Sequence, residues 1–131
     1  MAVLPPFIFD DYYQVTNPPV PGTPDPAPAP VTMDFILGSL GQSATYTAIL
    51  DGKSIYTHEH VSHKNIPLGD TAILANKVLS IVGNIVNIPG TDNNLTLDFT
   101  VNGGMSRLVK SYFVQGTAGD IVNFSIIIRF Y

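Results

Sequence analysis

Nine of the eleven prolines in this 131-residue chain lie within its first thirty residues, and the rest of the chain holds only Pro67 and Pro89. Proline fixes φ, removes a backbone donor and biases its predecessor toward extended geometry. The N-terminal segment is therefore barred from helix and poorly suited to the middle of a sheet. The chain reads as two objects: an extended proline-rich arm over residues 1–31 and a compact domain over 32–131.

The arm itself divides. Residues 1–16 carry Phe7, Ile8, Phe9, Tyr12 and Tyr13, a cluster that puts large contact area on few rotatable bonds and reads as a docking anchor. Residues 17–31 read as a polyproline II spacer of about 3.1 Å per residue, about 45 Å in all. That reach exceeds the width of a domain of this size, so the expectation is that the anchor docks on a neighbouring subunit or a partner protein. Folding back on its own domain and a disordered arm are the alternatives. P-x-x-P spacing occurs at Pro18, Pro21 and Pro24, but no flanking Lys or Arg orients a ligand of the SH3 type.

Residues 32–131 carry the marks of an all-β domain. The chain has one Glu, few strong helix formers and many Thr, Val, Ile and Asn. Leu95, Leu97, Phe99 and Val101 alternate with Thr96, Asp98, Thr100 and Asn102, which predicts a half-buried strand. Val122, Phe124, Ile126, Ile128 and Phe130 share one face of a final strand, expected to lie inside a sheet because a long apolar edge invites uncontrolled pairing. Further strands are predicted at 33–40, 43–50, 53–61, 77–88 and 107–115. Asp51-Gly52 predicts a hairpin, residues 69–76 a short helical turn, and Gly83 a bulge. The expected fold is a single antiparallel β-sandwich or jelly roll of seven to eight strands.

Charge narrows the partners. All six basic residues follow position 52, whereas five Asp and no Lys or Arg precede it. An arm built for nucleic acid or anionic lipid would be basic, so neither partner is expected. Charged residues make up 12% of the chain, about half the usual share, which leaves much uncharged surface for burial against other chains. Without cysteine, thiol and disulfide chemistry are excluded. No signal peptide or membrane anchor is recognisable, and the chain is expected to be made as a soluble cytoplasmic protein whatever its final location.

One cluster has letters that suit a metal. His58-Glu59-His60-Val61-Ser62-His63 holds every histidine of the chain, and His58 and His60 at i and i+2 of a strand would project from one face. His63 breaks the parity, and no second cluster completes a shell, so no cofactor is expected. No nucleophile elbow or phosphate-binding glycine pattern occurs. Asp92, Asn93 and Asn94 suit a turn.

These features favour a non-enzymatic structural or assembly protein that forms a homo-oligomer or larger particle, the layout of coat, tail and scaffold components in general. A carbohydrate- or ligand-binding sandwich is the alternative, with Tyr46, Tyr56 and Tyr112 as stacking faces. A membrane-active toxin is a more distant one.

Overall fold

The computed structural model of the protein describes residues 2–17, 20–24, 27–37, 42–59, 63–87 and 94–131, the side chains of Gln42, His58 and Glu59 excepted. The described residues form nine strands and one helical turn. These are β1 (Phe7–Tyr13), β2 (Pro30–Leu37), β3 (Gln42–Leu50), β4 (Lys53–Glu59), β5 (His63–Asp70), α1 (Thr71–Leu74), β6 (Val78–Asn87), β7 (Asn94–Asn102), β8 (Leu108–Gln115) and β9 (Ile121–Phe130). One sheet has the order β1-β9-β6-β3-β4 and the other β5-β2-β7-β8. All strand pairs are antiparallel except β1 on β9, which is parallel. The chain is thus nearly all-β, in two sheets.

Period-two patterning selects the buried face. Leu95, Leu97, Phe99 and Val101 of β7 are fully buried, as are Val122, Ile126 and Ile128 of β9. The apolar faces of the two sheets share one core. Phe35 of β2 stacks on Tyr46 of β3 with ring centroids 4.1 Å apart and meets Phe124 of β9 at 5.2 Å. Burying a side chain of this size stabilises the fold by about 1.5–3 kcal/mol, so this cross-sheet cluster is a principal tie between the layers. The Asp51-Gly52 hairpin forms between β3 and β4 with both residues at positive φ, 51° and 80°, the reversal that matches strand twist. The helical turn also forms, capped by Asp70, whose carboxylate accepts from the Ala72 and Ile73 N–H groups.

Three expectations change. β2–β9 give eight strands, within the expected seven to eight, and β1 within the arm adds a ninth, parallel to β9 where an all-antiparallel fold is expected. Strand β5 contains Pro67, which argues against a central strand; it is an edge strand, and Pro67 is exposed there. The third change concerns Gly83. No bulge occurs, since β6 keeps an unbroken register with both β3 and β9 through Gly83. Gly83 is instead a site of close approach. A Cβ there would run into the Thr45 carbonyl oxygen and stand 2.7 Å from the Tyr46 Cβ.

Gly83→Ala should therefore destabilise the domain by about 3 kcal/mol, the upper part of the overpacking range, because the obstacle is backbone. Urea unfolding with an unchanged m-value would show it; a change within experimental error would refute the close packing of Tyr46 on β6.

Candidate functional site

The site with most built into it is the seam where β1 meets the rest of the chain. Alternation splits the five anchor residues between two faces. Phe7, Phe9 and Tyr13 turn toward the core, whereas Ile8 and Tyr12 turn outward and are 73% and 65% exposed. The strand lies on its own domain, in parallel register with β9 from Phe7 opposite Phe124 to Tyr13 opposite Phe130. An isolated bridge between Val3 and Ile121 extends this pairing toward the N-terminus.

The inward side chains reach across to β8 of the other sheet. Phe7 packs on Tyr112 with ring centroids 5.1 Å apart, and the Tyr112 hydroxyl donates to the Pro5 carbonyl. Lys110 Nζ stands 4.7 Å from the Phe9 ring centroid and 3.9 Å from Asp11 Oδ2. That pair is half exposed and contributes about 0–1 kcal/mol; its use is positional. Tyr13 is the deepest contact, 2% exposed and edge-on to Phe130. Its hydroxyl accepts from the Gly104 N–H at 2.9 Å and donates to the Ser106 carbonyl. Burial pushes the Tyr13 hydroxyl above its ordinary pKa, and the Gly104 hydrogen bond partly opposes this. Burial likewise raises Tyr112. The stability these phenols lend is whole below their unfolded value and is lost as pH rises above it.

Two further contacts hold the ends of the arm. Asp120, 5% exposed, accepts from the Thr117 N–H at 2.6 Å and from the Ala2 N–H at 2.9 Å. These bonds, the Thr117 one first, hold its carboxyl below the usual carboxylate range. Past β1, the Val15 and Thr16 N–H groups both donate to the Tyr131 carbonyl, and Val15 is buried. The expected spacer then reverses rather than running straight, with Thr23 donating to Val20 through a turn whose Gly22 has φ of 83°. Between its two limbs and residues 71–72 and 103–105 lies a cleft of about 480 Å³ in whose walls the described residues place no ionisable side chain.

The outer face of the five-stranded sheet is the second candidate surface. On β1, β9, β6 and β3 its only charged side chains are Asp10 and Arg129. They pair with each other, Nε to Oδ1 at 3.3 Å and Nη2 to Oδ2 at 3.4 Å. The rest of that face is Ile8, Tyr12, Ile49, Val78, Val82, Val86, Ile121 and Ile127 among Thr, Ser and Asn.

Other expected sites fall elsewhere. The His58 side chain and His60 lie outside the described residues, and His63 sits edge-on to Tyr56 with centroids 5.7 Å apart. Among the described residues no group of three His, Cys, Asp or Glu is placed to hold a metal. Tyr46 offers no stacking face to a sugar, being 1% exposed inside the core, and Tyr112 is spent on Phe7. Among the described residues no helix is long and apolar enough to cross a membrane. The receiving side of the seam was missed in the sequence. Its signal is the inward series Leu108, Lys110, Tyr112 and Val114 of β8, where one long cationic stem interrupts an apolar row. No protein-family model, curated protein or solved structure matches the chain.

Tyr13→Phe leaves the Gly104 N–H and Ser106 carbonyl without their partner and should lower stability by about 2 kcal/mol; a Tm equal to wild type would show that these bonds carry nothing. Asp120 stabilises the fold fully at neutral pH and loses that contribution as pH falls through its depressed native value. Asp120→Asn should accordingly flatten the fall of Tm that wild type shows from about pH 5 downward. Parallel acid limbs for the two proteins would count against that role.

Proposed function

We propose that the chain is a non-enzymatic structural protein that assembles with copies of itself, and that its two sheets are the layers of a β-sandwich with jelly-roll-type crossings. The observation that carries this reading is the outer face of the five-stranded sheet. A solvated sheet face normally alternates apolar-in with polar-out, including charges. Across β1, β9, β6 and β3 this one presents β-branched and aromatic side chains with one self-neutralised ion pair, which leaves no uncompensated charge on those four strands to desolvate when they are covered.

Its size also suits a subunit contact. Four strands at about 4.8 Å by eight residues at about 3.3 Å give about 19 by 26 Å, or about 500 Å² in plan. Accessible area exceeds plan area on a surface of protruding side chains, so the face approaches the about 800 Å² per partner of a standard interface. A patch that meets its own counterpart on a second copy does so in a twofold, isologous pairing, with sheets packed face to face.

Val82 lies near the middle of the face, between Ser125 of β9 and Thr47 of β3, and is 44% exposed. Light scattering over a dilution series should give at least twice the 14.1 kDa chain mass. Val82→Lys should lower that mass while leaving thermal stability close to wild type. A wild-type chain that stays monomeric at the highest concentration would overturn the proposal.

A further inference from the structure

We infer that β1 is an exchangeable strand: in the assembled protein, Phe7–Tyr13 of one copy pairs with β9 of a second copy. This rests on the assembly reading above and names how two copies of the chain are tied.

The argument starts from the ends of the spacer. Gln14 and Pro30 lie against consecutive residues. The Gln14 carbonyl accepts from the Met105 N–H at 3.0 Å and sits 2.5 Å from where a Cβ on Gly104 would be. The Pro30 carbonyl would overlap a Cβ on Gly103. The two ends are thus about 10 Å apart, a gap that three extended residues bridge at about 3.3–3.6 Å each. Fifteen residues, 15–29, occupy it, and six of them are proline. The connection is several times longer than closure within one chain requires.

Its composition opposes that closure as well. Leaving β1 and entering β2 at the same end of the domain forces the segment through a full reversal, made at Val20–Thr23. Proline-rich chain prefers to run straight and resists such a reversal. Extended, fifteen residues reach about 45 Å, against a radius of gyration of about 14 Å for a chain of this length. The ladder partners, the hydrogen bonds of the Tyr13 hydroxyl and the ring and ion-pair contacts that β1 makes with other elements all lie in residues 104–131, so these contacts are the same whichever copy supplies the strand. The enthalpies of the two arrangements then nearly cancel, and the spacer decides between them through the effective concentration it gives its own strand. A long, stiff spacer lowers that concentration and favours exchange.

The chain has no cysteine, so Ile8→Cys with Ser125→Cys introduces one defined pair, facing each other in the β1–β9 register. Unlabelled and nitrogen-15-labelled copies of the double variant, each also carrying Val82→Lys to remove the face-to-face contact, are refolded together, oxidised, digested and read by mass spectrometry. Exchange predicts that peptides containing positions 8 and 125 are linked in mixed-isotope combinations. Links only within one isotope overturn it. If this pair leaves both thiols free, Asp10→Cys with Ile127→Cys, two residues along each strand, serves the same reading. Deleting residues 18–26 keeps six residues between Gln14 and Pro30, enough for the gap, and should turn mixed links into same-isotope links. Mixed links that persist at the same level after the deletion would also overturn the proposal. Failure of the assembly reading is separate: it would show as a monomeric wild type, whereas an oligomer with only same-isotope links removes exchange alone.

Discussion

Strand β9 sets the problem that the rest of the structure solves. It is ten residues long, its inner face is a run of five buried apolar side chains, and one of its edges is taken by β6. Left uncovered, the other edge would offer a row of backbone donors and acceptors beside an exposed flank of the core. Such an edge pairs indiscriminately. The parallel strand β1 covers it. Because β1 also lays Phe7, Phe9 and Tyr13 against β8, one segment closes both the hydrogen-bond ladder and the gap between the two sheets.

This changes the meaning of the proline-rich N-terminus. As an arm that only reaches outward, residues 1–16 would be dispensable to their own domain. As the strand that seals β9, they belong to the core: Tyr13 and Val15 are as buried as the central strands. The same contacts make the strand suitable for connecting copies, since the groove it fills recognises Phe7–Tyr13 whatever chain presents it. The two proposed contacts divide the work. In the proposed assembly the outer face would supply area, and β1 would supply specificity through aromatic fit, ladder register and the buried Tyr13 hydroxyl.

Much of the fold was legible from period-two patterning. β7 and β9 could be read residue by residue because their polar and apolar positions are cleanly separated, and Asp51-Gly52 because its positive-φ requirement suits few other pairs. The failures have specific physical causes. Strand β5 was hidden by Pro67, which is tolerated because the strand is at an edge. In β1, Phe7 and Phe9 point inward but Ile8 and Tyr12 are equally apolar and point out, so no alternation marks the buried face. Gly83 looked like a bulge because local sequence shows a missing side chain but not the Tyr46 that fills its place from the next strand. The seam was illegible for a related reason. It joins residues about a hundred positions apart, Phe7 with Tyr112 and Ala2 with Asp120, and nothing local in either partner specifies the other.

The central claim is that Phe7–Tyr13 is a structural strand rather than a tail, and amide hydrogen exchange tests it most directly. The β1 amides that pair with β9 should exchange as slowly as those of β9 itself, whether the strand comes from the same copy or a second one. Exchange of the whole segment at the rate of an unstructured peptide would contradict the account.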